Sequence, residues 1–173
     1  MKKSKVKQIC AVALAATLGL SVLAGCGAKK EEKAATANKQ ELVYNLGSDP
    51  KTLDPGLNTA VDGSIVISNL FEGLAKLDEN DKAIPGQADK WDVSEDKLTY
   101  TFHLKKDLKW TNGDPVKASD FVYAWKRVID PATAAEYAYQ MYYIKGAEAA
   151  NTGKGSMDDV AIKATDDNTL VVT

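Results

Sequence analysis

Cysteine is nearly absent from this sequence: Cys10 and Cys26 are the only two, and both lie in the first 26 of 173 residues. Beyond Cys26 no disulfide can cross-link the chain, so its fold rests on burial. Histidine is scarcer still, with His103 alone. One histidine and no nearby thiol argue against a zinc site. Positive charge is not in excess either: 22 basic residues stand against 24 acidic ones. Four of the basic ones precede Cys26, and none of the acidic ones do. The rest of the chain therefore has 18 against 24, a net charge of −6 with histidine neutral. Such a body offers no basic patch for nucleic acid. Long apolar runs are missing as well. The run from Ile9 to Ala24 is shorter than the roughly 20 residues that a membrane-spanning helix needs. There is no internal repeat.

What is present begins with a charge block, Lys2, Lys3, Lys5 and Lys7, ahead of that apolar run. This is the layout of a signal peptide, here residues 1–25. The run closes on Leu23-Ala24-Gly25-Cys26, which resembles the bacterial lipobox. The resemblance implies cleavage before Cys26 and a diacylglyceryl group on its sulfur. One acyl chain holds a protein to a membrane only marginally, whereas two hold it stably. Residues 26–40 then include AKKEEKAATANKQ, a polar stretch without aromatics, read as a flexible linker. The lysine-rich linker suits a Gram-positive surface; in a Gram-negative cell the compartment is the periplasm. The chain stops inside the apolar run Leu170-Val171-Val172-Thr173, which suggests a piece of a longer protein.

Local patterns beyond residue 40 mix strands with helices. Glu41 to Leu46 has strand character, and turn signals follow at Gly47–Pro50 and Leu53–Gly56. Ser64 to Glu72 suits a short helix stopped by Gly73, and Leu74 to Leu77 a strand. Ile84-Pro85-Gly86 reads as a turn. Leu98, Tyr100, Phe102 and Leu104 recur at period two, a strand with one apolar face, paired in a hairpin with Trp91 to Val93. Leu108 to Trp110 is a short run stopped by the turn at Thr111–Pro115. Phe121, Val122, Trp125, Val128 and Ile129 form one face of a helix over Ala118 to Ile129, which Asp130-Pro131 ends. Ala134 to Ala150 suits a second helix. Val160 to Ala164 and Thr169 to Val172 suit strands.

Catalytic and metal motifs do not survive inspection. Asp78-Glu79-Asn80-Asp81 is acidic, but Lys82 occupies a ligand position of the calcium loop and Ala83 its glycine position. Gly153-Lys154 has Glu148 where a phosphate loop needs its first glycine. No G-x-S-x-G occurs. His103 lies on the polar face of its strand, where a hydrogen-bonded role is the ordinary one. The remaining lead is aromatic: Trp91, Trp110, Trp125, Tyr123, Tyr137, Tyr139, Tyr142 and Tyr143 crowd the second half. Aromatics line many ligand clefts, though Trp125 on its helix face belongs to the core.

Several stretches, taken together, resemble the family 5 solute-binding proteins of ABC importers, and the oligopeptide-binding branch in particular. They are Leu53-Asp54-Pro55, Leu70-Phe71-Glu72-Gly73-Leu74, the segment from Trp91 through Tyr100 to Gly113, Asp114 to Arg127, and Asp130-Pro131 with Tyr137-Ala138. Lys117 departs from the pattern, where a threonine often caps the helix. The resemblance implies an α/β, periplasmic-binding-protein-like fold of type II, in its large three-domain variant, with two lobes that close on a ligand. Residues 41–72 would begin the first lobe and 73–173 would form an incomplete accessory domain. It implies a receptor rather than an enzyme, with no cofactor and no metal. Its partners would be oligopeptides, an ABC permease with its ATPase subunits, and the membrane through Cys26. An extended peptide would hydrogen-bond to the backbone of Thr59, Ala60 and Val61, and Tyr137 would face the cleft. Alternative ligands within the family are a dipeptide, a signalling peptide, nickel or haem. A surface peptidase or a structural lipoprotein are readings from other classes.

Overall fold

The structure is a computed structural model that describes residues 41–173. The expected signal peptide 1–25, the expected linker 26–40 and the expected lipid acceptor Cys26 lie outside the described residues. Residues 45–173 form one compact unit.

Helix α1 spans Val61–Leu70. Strands β1 (Ala75–Leu77) and β2 (Ala83–Pro85) form an antiparallel ribbon. Strands β3 (Ala88–Val93) and β4 (Tyr100–Leu104) follow, then helix α2 (Ala118–Ile129). Three short 3-10 turns, at Pro131–Thr133, Ala138–Met141 and Met157–Asp159, flank the one-turn helix α3 (Ala147–Asn151). Strands β5 (Ile162–Asp166) and β6 (Thr169–Val172) complete a four-stranded sheet in the order β3-β4-β6-β5, antiparallel throughout.

The period-two pattern explains the core. Phe102 lies opposite Leu170 across the β4–β6 pairing, and Leu170 lies opposite Ala164 across β6–β5. Directly opposed residues share a face, so these side chains form one apolar row. Leu170 and Ile129 are fully buried at its centre, with Leu104, Ile162 and Val172 around them. Helix α2 packs against β5 and β6. Phe121, Val122 and Trp125 lie on its inner face, partly buried against the core. The same sheet face opens toward β3, where Trp91, Phe102 and Tyr100 keep one another company with ring centroids 6.3 and 6.4 Å apart.

Helix α2 has the bounds that its periodicity gives. Its cap differs from the usual one. Lys117 cannot accept a hydrogen bond through its side chain, so Asp120 supplies the reciprocal half of a capping box. The Asp120 carboxylate accepts the Lys117 backbone N–H at 2.9 Å and the Trp110 indole N–H at 3.2 Å. His103 bonds through Nε2 to Asp92 Oδ2 at 2.8 Å, across the hairpin.

Other expectations need correction. Glu41 to Leu46 is not a strand: a strand exists only where a neighbour takes its backbone groups, and no described strand pairs with it. Helix α1 starts at Val61 rather than Ser64, and extended Phe71 ends it before Gly73 is reached. Ile84 and Pro85 lie in β2, not in a turn; the ribbon with β1 overrides the local turn signal of Pro-Gly. The proposed helix from Ala134 to Ala150 is broken. Ala134 adopts φ +52° and Gly146 φ +83°, which leaves a 3-10 turn and the single turn of α3 between and after them. Gly146 is required there, because a Cβ would lie 2.4 Å from the Asp159 carbonyl oxygen. Leu98 is exposed, and the strand begins only at Tyr100.

Candidate functional site

The segment before α1 is built from short polar side chains that fold the backbone onto itself. Thr52 Oγ1 accepts the Asp54 N–H at 3.0 Å. Asp54 Oδ1 accepts the Gly56 N–H at 2.9 Å, and its carbonyl takes the N–H groups of Leu57 and Asn58 at 3.1 and 3.0 Å. These are the local turns that Asp and Thr favour. Asn58 then reaches forward: its Nδ2 donates to the Ala60 carbonyl and to Ser64 Oγ, each at 2.9 Å. Gly63 fits closely over that amide, since a Cβ would lie 2.0 Å from Asn58 Oδ1. Ser48 Oγ donates to Asp62 Oδ2 at 2.7 Å.

A second element locks this segment. Arg127, in the last turn of α2, forks onto Asp54, Nη1 to Oδ1 at 2.8 Å and Nη2 to Oδ2 at 2.5 Å. The pair is about one-third exposed. The Arg127 hydrogen bonds hold the Asp54 carboxyl below the usual carboxylate range; partial burial opposes this and the Gly56 N–H assists. The Ser48 hydroxyl, helped by the Gly63 N–H, lowers Asp62 in the same way.

Thr59, Ala60 and Val61 follow at the exit of this network. Ala60 is extended, φ −121° and ψ 151°. Thr59 and Val61 are exposed. Among the described residues the N–H and C=O of Thr59 and the N–H of Ala60 make no hydrogen bond, whereas the Ala60 carbonyl is used internally by Asn58 and Ser64. The strand-like stretch is therefore shorter than the sequence suggests. Val61 is the first residue of α1 and not part of an extended run.

Tyr137 lies elsewhere, at the start of the 3-10 turn at Ala138–Met141, 44% exposed. Its ring meets Tyr139 edge to face at 5.9 Å. Beside them an open hollow of about 570 Å³ is lined by Tyr139, Gln140, Tyr142 and Tyr143. Tyr142 is structural: its hydroxyl donates to Asn151 Oδ1, and Asn151 Nδ2 donates to the Ile129 carbonyl, both at 2.6 Å. No hydrogen bond or ring contact among the described residues joins Tyr137 to Thr59–Val61. The loop before α1 is tied to the last turn of α2 through Arg127, and Tyr142, through Asn151, to the Ile129 carbonyl of the same turn. The Asp54–Arg127 pair is the feature that sequence reading missed. Both residues fall in recognisable stretches, but nothing local couples positions 73 apart. Among the described residues no His, Cys, Asp and Glu cluster is placed to hold a metal. No described helix is long and apolar enough to cross a membrane.

Comparison with known proteins gives this geometry a context. Residues 82–173 match the family described as bacterial extracellular solute-binding proteins, family 5 Middle. The chain is similar to the oligopeptide-binding protein OppA of Bacillus subtilis, 50% identical over 149 residues, which cover 86% of this chain and 27% of OppA. It is also similar to the dipeptide-binding protein DppE of Bacillus subtilis, 42% identical over 98% of this chain and 32% of DppE. Among solved structures, Haemophilus influenzae OppA in complex with the peptide RPPGFSPFR superposes with a TM-score of 0.70 at 45% identity, over 74% of this chain and 25% of that one. The chain thus spans about a quarter to a third of the length of the relatives it matches.

Proposed function

The chain belongs to the family 5 bacterial extracellular solute-binding proteins, and from that premise we propose that it is part of a receptor that captures oligopeptides and hands them to an ABC importer. The observation that carries this reading is Thr59: exposed, with backbone N–H and C=O both open, beside extended Ala60 in a loop otherwise closed by hydrogen bonds. A peptide laid along this stretch as an added strand would find a donor and an acceptor at Thr59. Backbone groups are common to all peptides, so recognition through them tolerates any side chain. Tyr137 supplies an amphipathic ring for a cleft wall, and residues 41–72 and 73–173 are parts of the first of two lobes. Cys26, as a diacylated anchor, would keep the receptor on the outer face of the membrane beside its permease. The similarity to a dipeptide-binding protein keeps short peptides as a second ligand class.

Titration of the full-length protein with di-, tri- and tetra-alanine and with RPPGFSPFR tests this. Binding is expected to survive side-chain changes. Methylation of a single peptide N–H or loss of a peptide carbonyl should weaken it by about ten-fold, the effect of one hydrogen bond left unmade at a desolvated site. If no peptide in the series gives a heat of binding, the receptor reading is wrong.

A further inference from the structure

We infer that Arg127 is a positioning residue for ligand capture: from α2 it sets the loop that presents the open backbone of Thr59. The inference rests on the receptor reading above and deepens it.

The loop has little else to hold it. Gly63 is the one buried residue of α1, and Val61 and Leu70 of that helix are 77% and 62% exposed. Ile65, Val66 and Ile67 are only half-buried, and none belongs to the core cluster. The loop's link to α2 is the Arg127 fork, and the contact is close. A Cβ on Gly56 would stand 3.2 Å from both Arg127 Nη1 and Val128 Cγ2. From Arg127 the connection to the open groups runs through three hydrogen-bonded steps. The guanidinium fixes the Asp54 carboxylate. Asp54, through its own carbonyl, fixes the turn to Asn58. Asn58 fixes the Ala60 carbonyl. With its carbonyl held inward, extended Ala60 points its own N–H the same way, and the trans peptide before it turns the Thr59 carbonyl outward.

The chemistry requires arginine. Two parallel N–H···O bonds define the orientation of the carboxylate as well as its position, whereas a lysine ammonium supplies a point charge. That turn of α2 is itself held: its Ile129 carbonyl accepts from Asn151 Nδ2 at 2.6 Å, and Asp130 Oδ1 accepts the Ala132 N–H at 2.9 Å.

The test uses full-length protein and calorimetric titration with tri-alanine, tetra-alanine and RPPGFSPFR, with hydrogen exchange in the peptide-free state at residues 56–58, whose amides bond to Asp54. Arg127→Ala is expected to weaken all peptides alike by about ten-fold through lost pre-organisation. Arg127→Lys should fall between it and the parent, and exchange at residues 56–58 should rise in the same order. Lys117→Ala removes a different ion pair of α2, to Asp167 at 2.9 Å, and serves as the structural control. It should leave affinity and exchange unchanged. If Arg127→Ala does not fold, Arg127→Lys and Asp54→Asn carry the same readouts. Parent protein that binds peptide, with Arg127 variants within about two-fold of it, overturns this inference alone. Parent protein that binds none of the three peptides overturns the receptor reading and this inference with it.

Discussion

The sheet with α2 and the segment from Ser48 to Leu70 are held together by opposite means. The first is an apolar sandwich, with Leu170 and Ile129 removed from solvent and no buried polar side chain among the described residues. The second is a polar lattice of Ser, Thr, Asn and Asp side chains around one buried glycine. Apolar burial is strong and non-directional, which suits a scaffold. Hydrogen bonds contribute less net stability but fix angles, which suits a surface that must offer particular N–H and C=O groups. The difference shows how a marginally packed loop is given a definite shape without a core of its own.

The sharpest way to break the comparison is to cut each region in turn and measure denaturant unfolding. Leu170→Ala, in the centre of the apolar row, should cost about 2–5 kcal/mol, the range for deleting a fully buried leucine. Gly146→Ala comes next. It forces a side chain into a left-handed backbone and against the Asp159 carbonyl, and should cost about 1–3 kcal/mol. Asn58→Ala removes two hydrogen bonds from the lattice, to the Ala60 carbonyl and Ser64 Oγ, and should cost about 1–2 kcal/mol. Its main effect should be local: hydrogen exchange at Leu57, Asn58 and Ser64 should rise while the sheet stays protected. Equal loss of protection in both regions would mean that they unfold as one unit and would dissolve the distinction.

Acid sharpens the same contrast. Asp54 is held below the usual carboxylate range by Arg127. A lowered folded-state value means that its contribution is present above the ordinary aspartate pKa of about 4 and is lost as pH falls through the lowered value. Protection of residues 54–58 should therefore fade below that ordinary value while the sheet amides remain protected. Asp54→Asn should abolish this step. The smallest effect belongs to Lys117→Ala, whose ion pair to Asp167 is largely in solvent; its unfolding midpoint should match the parent's.

Much of the scaffold was legible in the chain. Helix α2 and strand β6 have the bounds that their periodicities give, because each buries a full face and the pattern of burial is written at the matching period. The family was legible too, through stretches that this scaffold displays. Elements without such a face were not. Residues 134–150 have alanines enough for a helix, yet their tyrosines point variously outward and inward, and two left-handed residues divide them. Helix α1 has no buried apolar face, so its start at Val61 follows from the cap geometry of Ala60 rather than from any periodic signal.

The candidate site divides along the same line. The sequence by itself determined that residues 48–60 would turn repeatedly, because Gly, Pro, Asp and Asn act on the backbone within two or three residues. It also determined which face of α2 and of β4 to β6 would be buried. Only the tertiary structure decided that Asp54 meets Arg127, that Ala60 is extended while Val61 is already helical, and which backbone groups stay open. These depend on contacts between distant parts of the chain, formed only when the sheet and α2 have packed and brought the last turn of the helix against the loop.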